Sequence, residues 1–144
     1  MQSGCCRFGL WRVAVDYDSN TVYRVRFLKS APSGPVPVQF IKFLAGKCTD
    51  FSPLHSAALK EDGVYSAVYR AVSLIPYGET QTYGDIAEIV GTHPRVVGNA
   101  MARNPTPLIV PCHRVVGSTG IGGFSPDIAI KKELLSLEQR VKQS

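Results

Sequence analysis

Cys112 and His113 are adjacent and Arg114 follows them, in the run Pro111-Cys112-His113-Arg114-Val115-Val116. A thiolate is a strong, soft nucleophile, and a neighbouring base or cation raises its fraction near neutral pH. These residue types at this spacing suit a covalent reaction at sulfur. The plainer alternative is a buried structural cysteine after a strand. Glu138 is the next residue that could do chemistry. It borders the apolar stripe Ile130, Leu134, Leu137 and Val141 of a C-terminal helix, where a carboxylate needs a partner. His113 would serve, because a carboxylate fixes an imidazole tautomer and raises its basicity. The alternative is an exposed i,i+4 pair with Lys142, worth ~0.3–0.5 kcal/mol.

Several elements must position these groups. Asn104, Pro105 and Pro107 hold the approach to the cysteine extended, since proline fixes φ and pushes the preceding residue out of the α region. Leu108 to Val110 is a short apolar run, which predicts a buried strand delivering the thiol. Upstream, Gly63 to Leu74 carries Val64, Val68, Ala71, Val72 and Ile75 at helical spacing, and Pro76 ends that helix. Thr82 is placed to cap a second helix by accepting from the amide of Asp85. Ile86, Ile89 and Val90 form that helix's apolar face, and Gly91 is its C′ residue. Thr92 is expected to cap a third helix, with Pro94 in its first turn and Val96, Val97, Ala100 and Met101 along it to about Arg103. Helix, short glycine turn, helix is the outline of a helix-turn-helix. Its outer side is small, with Gly98, Asn99 and Ala102, and Arg95 stands near its start. A mid-helix glycine costs about 1 kcal/mol relative to alanine. Either a partner backbone comes close there, or another helix does.

The stretch from Asp62 to Glu138 resembles the O6-alkylguanine-DNA alkyltransferase family. The resemblance rests on Pro111-Cys112-His113-Arg114-Val115, on Arg103-Asn104-Pro105 with Pro107, on Thr82-Tyr83-Gly84, and on Leu134-Leu135-Ser136-Leu137-Glu138. It implies single-use transfer of an alkyl group from O6 of guanine in double-stranded DNA to Cys112. His113, oriented by Glu138, would be the base acting through a water, and Tyr83 would donate a proton to the departing guanine. Asn104 would brace the cysteine segment. The resemblance further implies that the third helix enters the minor groove, with Arg95 taking the space of an extruded base. Thr92, Gly98, Asn99, Ala102, Arg103 and Arg114 would contact DNA. Tyr83, Met101, Pro107 and the glycine-rich Gly117–Ser125 loop, with Gly123, Phe124 and Ser125, would wall the guanine pocket. Phe124 stands where the family often has tyrosine, keeping the ring without the hydroxyl, and Pro126 also departs from the pattern. No metal or organic cofactor is implied, and the protein is expected to act as a monomer.

The rest of the chain sets bounds. Its 144 residues are 44% hydrophobic and 19% charged, which is a globular composition. The net charge is +5, yet Ile89 to Pro126 holds no Asp or Glu while containing Arg95, Arg103 and Arg114. An acid-free stretch around a reactive thiol suits a polyanion. No apolar run approaches the ~20 residues of a membrane span, and no signal peptide is visible, so a cytoplasmic protein is expected, or a nuclear one in a eukaryote. Phe8 to Asp16 and Thr21 to Leu28 alternate as a β-hairpin, with Val22, Arg24, Arg26 and Leu28 on one side of the second strand. Val38 to Leu44 reads as a helix ending at Gly46. The fold class is therefore α/β. A small N-terminal hairpin-and-helix subdomain over residues 1–52 leads through a linker at 53–61 into a mainly helical domain at 62–144. Cys48 and His55 with Cys5 or Cys6 could form a mixed zinc site, but the paired spacing of a zinc ribbon is missing and free thiols are expected.

Three rival readings fit parts of the same pattern. One is a DNA-binding regulator without chemistry. The second is a Cys-His-Glu hydrolase, which would turn over repeatedly. The third is an alkyltransferase-like protein that binds lesions without repairing them; those lack the cysteine, which is present here as Cys112.

Overall fold

Val13, Val15 and Tyr17 alternate inward along one strand, and the N-terminal layer forms around them. In the computed structural model, which describes residues 1–143, strands β1 (Gln2–Phe8), β2 (Trp11–Asp18) and β3 (Thr21–Leu28) make an antiparallel meander. The sequence showed one hairpin; β1 is an additional strand. Its Gly4 and its Cys5-Cys6 pair hide the alternation, and Phe8 and Trp11 flank a turn in which Gly9 has φ +59°. The inward face of β3 also differs from the expected one. The β2–β3 register shifts between Asp16 and Tyr17, leaving Tyr23 without a partner in the ladder. A bulge moves every later side chain to the other face, so Val22, Val25 and Phe27 point in while Tyr23, Arg24 and Arg26 point out.

Helix α1 (Val38–Leu44) covers this sheet with Phe40 and Phe43, both fully buried, and leaves Ile41 outside. The segment read as a linker is structured. Its strand β4 (His55–Ser56) pairs in parallel with β3, and a 3-10 turn (Ala57–Lys60) follows, with the Ser56 hydroxyl accepting from the Ala58 amide. Such short elements carry no periodicity to read.

Helices α2 (Val64–Val72), α3 (Tyr83–Val90) and α4 (Pro94–Ala102) build a second layer, packed on one another. Val64 is exposed, and Tyr69 takes the inward place instead, donating its hydroxyl to the Ala100 carbonyl at 2.9 Å. The Thr82 hydroxyl accepts from the Asp85 amide as expected, the Asp85 carboxylate accepts from the Thr82 amide in return, and Gly91 ends α3 at φ +83°, where a side chain would be strained. The cap of α4 is a correction. His93, not Thr92, is the N-cap, and its Nδ1 accepts from the Arg95 amide. Strands β5 (Gln81–Thr82) and β6 (Val115–Val116) pair in parallel, and the long helix α5 (Ile128–Gln143) closes the chain. Among the described residues, no helix is long and apolar enough to cross a membrane.

Two apolar cores result. Ile130 and Leu134 of α5 join the sheet, α1 and Leu108 in the first, while Val110 and Val115 join α2, α3 and α4 in the second. The cysteine segment lies along the seam between them.

Candidate functional site

Leu108 to Val110 does not form the expected strand. Leu108 has φ +79°, a left-handed value that costs a bulky residue energy and persists only when packing over-determines it. Leu108 is 2% exposed in the first core, which is that packing. The Val110 amide turns back to the Thr106 carbonyl at 2.9 Å. Pro111 then adopts φ −77° and ψ 66°, an inverse γ-turn in which the Cys112 amide donates to the Val110 carbonyl at 2.7 Å. Two consecutive turns therefore deliver the thiol at the start of a 3-10 turn (Cys112–Arg114).

Asn104 braces these turns. Its amide nitrogen donates to the Val110 carbonyl, and its oxygen accepts from the Thr106 amide, each at 3.0 Å. The N-terminal layer braces them too. The Val25 amide donates to the Pro105 carbonyl at 2.8 Å, and the Ser56 and Thr106 hydroxyls are 2.6 Å apart in the interior.

Cys112 lies at the wall of a cavity of about 200 Å³. An apolar cavity of ~150 Å³ accepts one benzene ring, so this one has room for a single flat heterocycle. Tyr83, Gly98, Met101, Ala102, Pro107, Gly123, Phe124 and Ser125 line it. Tyr83, Met101, Pro107, Gly123, Phe124 and Ser125, named for the pocket from the sequence, are among these, whereas residues 117–122 of the loop are not. Phe27 of β3 holds Phe124 edge-on, with ring centroids 5.8 Å apart. A Cβ added at Gly98 would meet nothing within 4 Å, so helix–helix packing does not explain this glycine. Arg95, Asn99, Ala102 and Arg103 are exposed along the same helix and its C-terminal end, and Arg103 donates to the Tyr65 hydroxyl at 3.2 Å. Thr92 is half-buried.

Burial pushes the Cys112 thiol up to about 11, against smaller opposing pulls from Asn104 and Lys131. Burial thus works against the thiolate and leaves a role for a neighbouring base. Beside it, His113 is fully buried and lies 2.5 Å from Glu138 through Nε2. Burial lowers the basicity of His113. Burial would raise the Glu138 carboxyl, but bonds from His113 and Arg114 outweigh that and hold it down at about 2. A locked carboxylate only accepts, so His113 Nε2 carries the proton and Nδ1 keeps a lone pair. Nδ1 is buried with no hydrogen-bond partner in the protein.

Arg114 is a further correction. It was expected at DNA, yet it is 7% exposed and bonds Glu138 through Nε and Nη2, with Nη1 on the Ile75 carbonyl at 2.9 Å. Sequence reasoning also missed Lys131, which is fully buried and donates to the Val115 carbonyl at 2.6 Å and the Gly123 carbonyl at 3.2 Å. Burial brings its ammonium down to about 8. The available signal was spacing: Lys131 lies two helical turns before Glu138 on the same edge of the apolar stripe. The Gly78 amide, which donates to Glu138 at 2.8 Å, had no signal at all.

The residues considered for zinc have other partners. His55 Nε2 meets the Thr21 hydroxyl at 3.0 Å, and Cys48 donates to the Asp50 carbonyl at 3.3 Å. Among the described residues, no group of three or more His, Cys, Asp or Glu is placed to hold a metal.

A family model for the DNA-binding domain of 6-O-methylguanine DNA methyltransferase matches residues 63–140. A methylated-DNA–protein-cysteine methyltransferase of Metallosphaera sedula is 45% identical over 96 residues, covering 67% of this chain and 61% of that protein. One from Methanopyrus kandleri is 44% identical over 97 residues, covering 67% and 73%. Several relatives from Saccharolobus islandicus are matched over about half of their length, 48%. Among solved structures, Mycobacterium tuberculosis OGT in complex with DNA superposes with a TM-score of 0.81 at 29% identity, covering 96% of this chain and 93% of that one. The O6-methylguanine-DNA methyltransferase of Pyrococcus kodakaraensis gives 0.73 at 30% identity, covering 94% and 97%. With Cys112, His113, Glu138 and the lining of the cavity all inside the matched residues 63–140, the chain belongs to the 6-O-methylguanine DNA methyltransferase family.

Proposed function

We propose that this protein repairs DNA by moving an alkyl group from O6 of guanine to Cys112, once per molecule. The observation that carries the reading is the cavity itself: a buried thiol, a phenol and a slim helix face share one space of ring size. Helices α3 and α4 act as a helix-turn-helix, with α4 in the minor groove and Arg95 filling the gap left by the extruded base. A minor groove needs a slim helix, and an inserted side chain offsets part of the lost stacking. Asn99, Ala102, Arg103 and Thr92 contact the duplex around it. The protein acts as a monomer, without a cofactor. Residues 62–144 form the reacting unit and residues 1–52 its scaffold.

The chemistry follows from the protonation states. The Cys112 proton passes through a water to the free lone pair of His113 Nδ1, and Glu138 stabilises the imidazolium that forms. Sulfur then attacks the alkyl carbon, a new C–S bond forms, and the bond from that carbon to O6 breaks. The electron pair stays with guanine. Burial raises the Tyr83 phenol above its ordinary range, so it is protonated at neutral pH and able to donate to the departing base. His113 returns its proton toward Tyr83 through solvent, so the thiol proton ends on guanine. The thioether is not readily reversed, and one molecule reacts once.

Intact mass after incubation with O6-methylguanine DNA tests this. One methyl on Cys112, no gain in Cys112→Ser and retained DNA binding by that variant are the expected results. Repeated turnover on excess substrate would replace the reading with a hydrolase.

A further inference from the structure

The cavity beside Cys112 has two sides that belong to different cores. Tyr83 and Met101 line it and pack against the second core, that of α2, α3 and α4. Phe124 lines it as well, but packs against the first core, that of the N-terminal sheet, α1 and α5. The width of the cavity therefore depends on where the N-terminal layer holds the Phe124 ring.

Phe27 is the residue of that layer in ring contact with it. The two centroids are 5.8 Å apart with the ring planes at 65°, an edge-on pair. Phe27 is 6% exposed and lines no part of the cavity itself. Strand β3 fixes its place. Phe27 pairs with Val13 of β2 in the ladder, and two residues earlier the Val25 amide donates to the Pro105 carbonyl at 2.8 Å. Its ring is thus a stop behind Phe124.

The main chain before Phe124 is held from the other direction. Lys131 donates to the Gly123 carbonyl at 3.2 Å. Gly122, at φ +82°, runs so close to Tyr83 that an added Cβ would lie 2.7 Å from the phenol oxygen. With the loop backbone fixed in this way, the Phe124 side chain is the part of the wall that can give, and behind it lies Phe27.

We propose that Phe27, which touches no substrate, is a positioning residue that limits the size of the O6 substituent the cavity admits, by blocking the retreat of Phe124. The identity of the substrate rests on the alkyl-transfer reading; the wall argument rests on the geometry. A cavity of about 200 Å³ has room for one flat heterocycle. A methyl group adds little to that, whereas a benzyl group adds a second ring and needs the wall to move.

The test compares substituent sizes within each protein. Full-length wild type, Phe27→Ala and Phe27→Leu are given duplexes containing O6-methylguanine or O6-benzylguanine, and transfer to Cys112 is followed by mass. The benzyl-to-methyl rate ratio is the readout, because a loss of folded protein lowers both rates together. Phe27→Ala should raise the ratio at least ~10-fold, the lower end of what one methylene is worth in an apolar pocket. Phe27→Leu keeps apolar bulk without the ring and should raise it less, by ~3-fold. Phe124→Ala should raise it too, and adding Phe27→Ala to that variant should change it no further, since Phe27 acts through Phe124. An unchanged ratio in Phe27→Ala overturns the proposal, as does an unchanged ratio in Phe27→Leu should the alanine variant not fold. A full further rise in the double variant overturns it as well. Iodoacetamide and its N-benzyl derivative alkylate Cys112 without DNA, and Phe27→Ala should shift their ratio toward the larger reagent; no shift there counts against the wall. Wild type that takes neither group from DNA, with the iodoacetamide ratio shifting as expected, would count against the repair reading alone.

Discussion

Gly98 and Cys112 line the same cavity, one from the outward side of α4 and the other from the turn beneath it. The glycine has no neighbour in the folded protein that its missing side chain accommodates. Gly98→Ala should therefore stabilise the free protein by up to about 1 kcal/mol, the helix-propensity difference. Gly98→Phe should fold but lose duplex repair, because the helix would no longer be slim. Urea midpoints and repair rates on duplex substrate check both. A destabilised Gly98→Ala would mean that the glycine serves the fold.

Arg95 sits in the first turn of α4 with an exposed side chain. If it fills the hole left by a flipped guanine, Arg95→Ala slows repair of duplex DNA, and the defect shrinks with single-stranded DNA and vanishes with the free base. Extrusion costs a few kcal/mol and is absent for a base with no stack to leave. If Arg95 only pairs with phosphate, binding weakens evenly and the salt slope falls by about one unit. An equal repair defect on all three substrates at saturating protein would exclude the extrusion role.

Burial pushes the Cys112 thiol up to about 11, so if Cys112 takes the alkyl group as proposed, transfer at neutral pH depends on a base. Removing a general base costs ~100-fold or more. His113→Ala should be slowed by about that factor near pH 7 and approach wild type as pH nears the thiol's own titration, where thiolate forms unaided. Glu138→Ala should follow the same course. Deficits that stay constant with pH would show that His113 positions groups and does not take the proton.

The acid limb of stability should belong to Glu138. Its folded carboxyl sits at about 2 against an ordinary 4.5, so the unfolded chain takes up this proton first as pH falls. A depressed group contributes stability that is fully present above its ordinary value and is lost on the way down through the folded value. Burial depresses His113 as well, which gives the same sign below its ordinary 6.5. Glu138→Gln should be less stable than wild type at pH 7 by on the order of 3 kcal/mol, and the gap should narrow between pH 4.5 and 2. Denaturant midpoints across pH measure it, and a gap independent of pH would assign the loss to packing.

What the sequence shows and what it hides divide by range. The Thr82 cap, the Gly91 stop and the α5 stripe are legible because each is written within a few residues. Glu138 is legible because a carboxylate beside Leu137 has to find a partner. Arg114 is misread for the opposite reason. An arginine is on the surface by default, and the residue that draws it inside is 24 positions away. The same holds for β4, two residues whose pairing with Thr21 and Val22 exists only once the chain has folded back. Leu108 is hidden differently: nothing local tells a leucine to adopt a left-handed backbone, and only its place in the first core enforces it.

The bond from the Val25 amide to the Pro105 carbonyl makes a strand in the N-terminal sheet a listening post for the segment that leads to Cys112. Val25 lines no part of the cavity, so nothing that enters the pocket touches it. Its amide resonance nevertheless reports the carbonyl next to Asn104, the residue that braces the turns leading to Cys112. Labelled valine would thus give a spectroscopic view of those turns before and after incubation with O6-methylguanine DNA, from a residue that can be observed without disturbing the site.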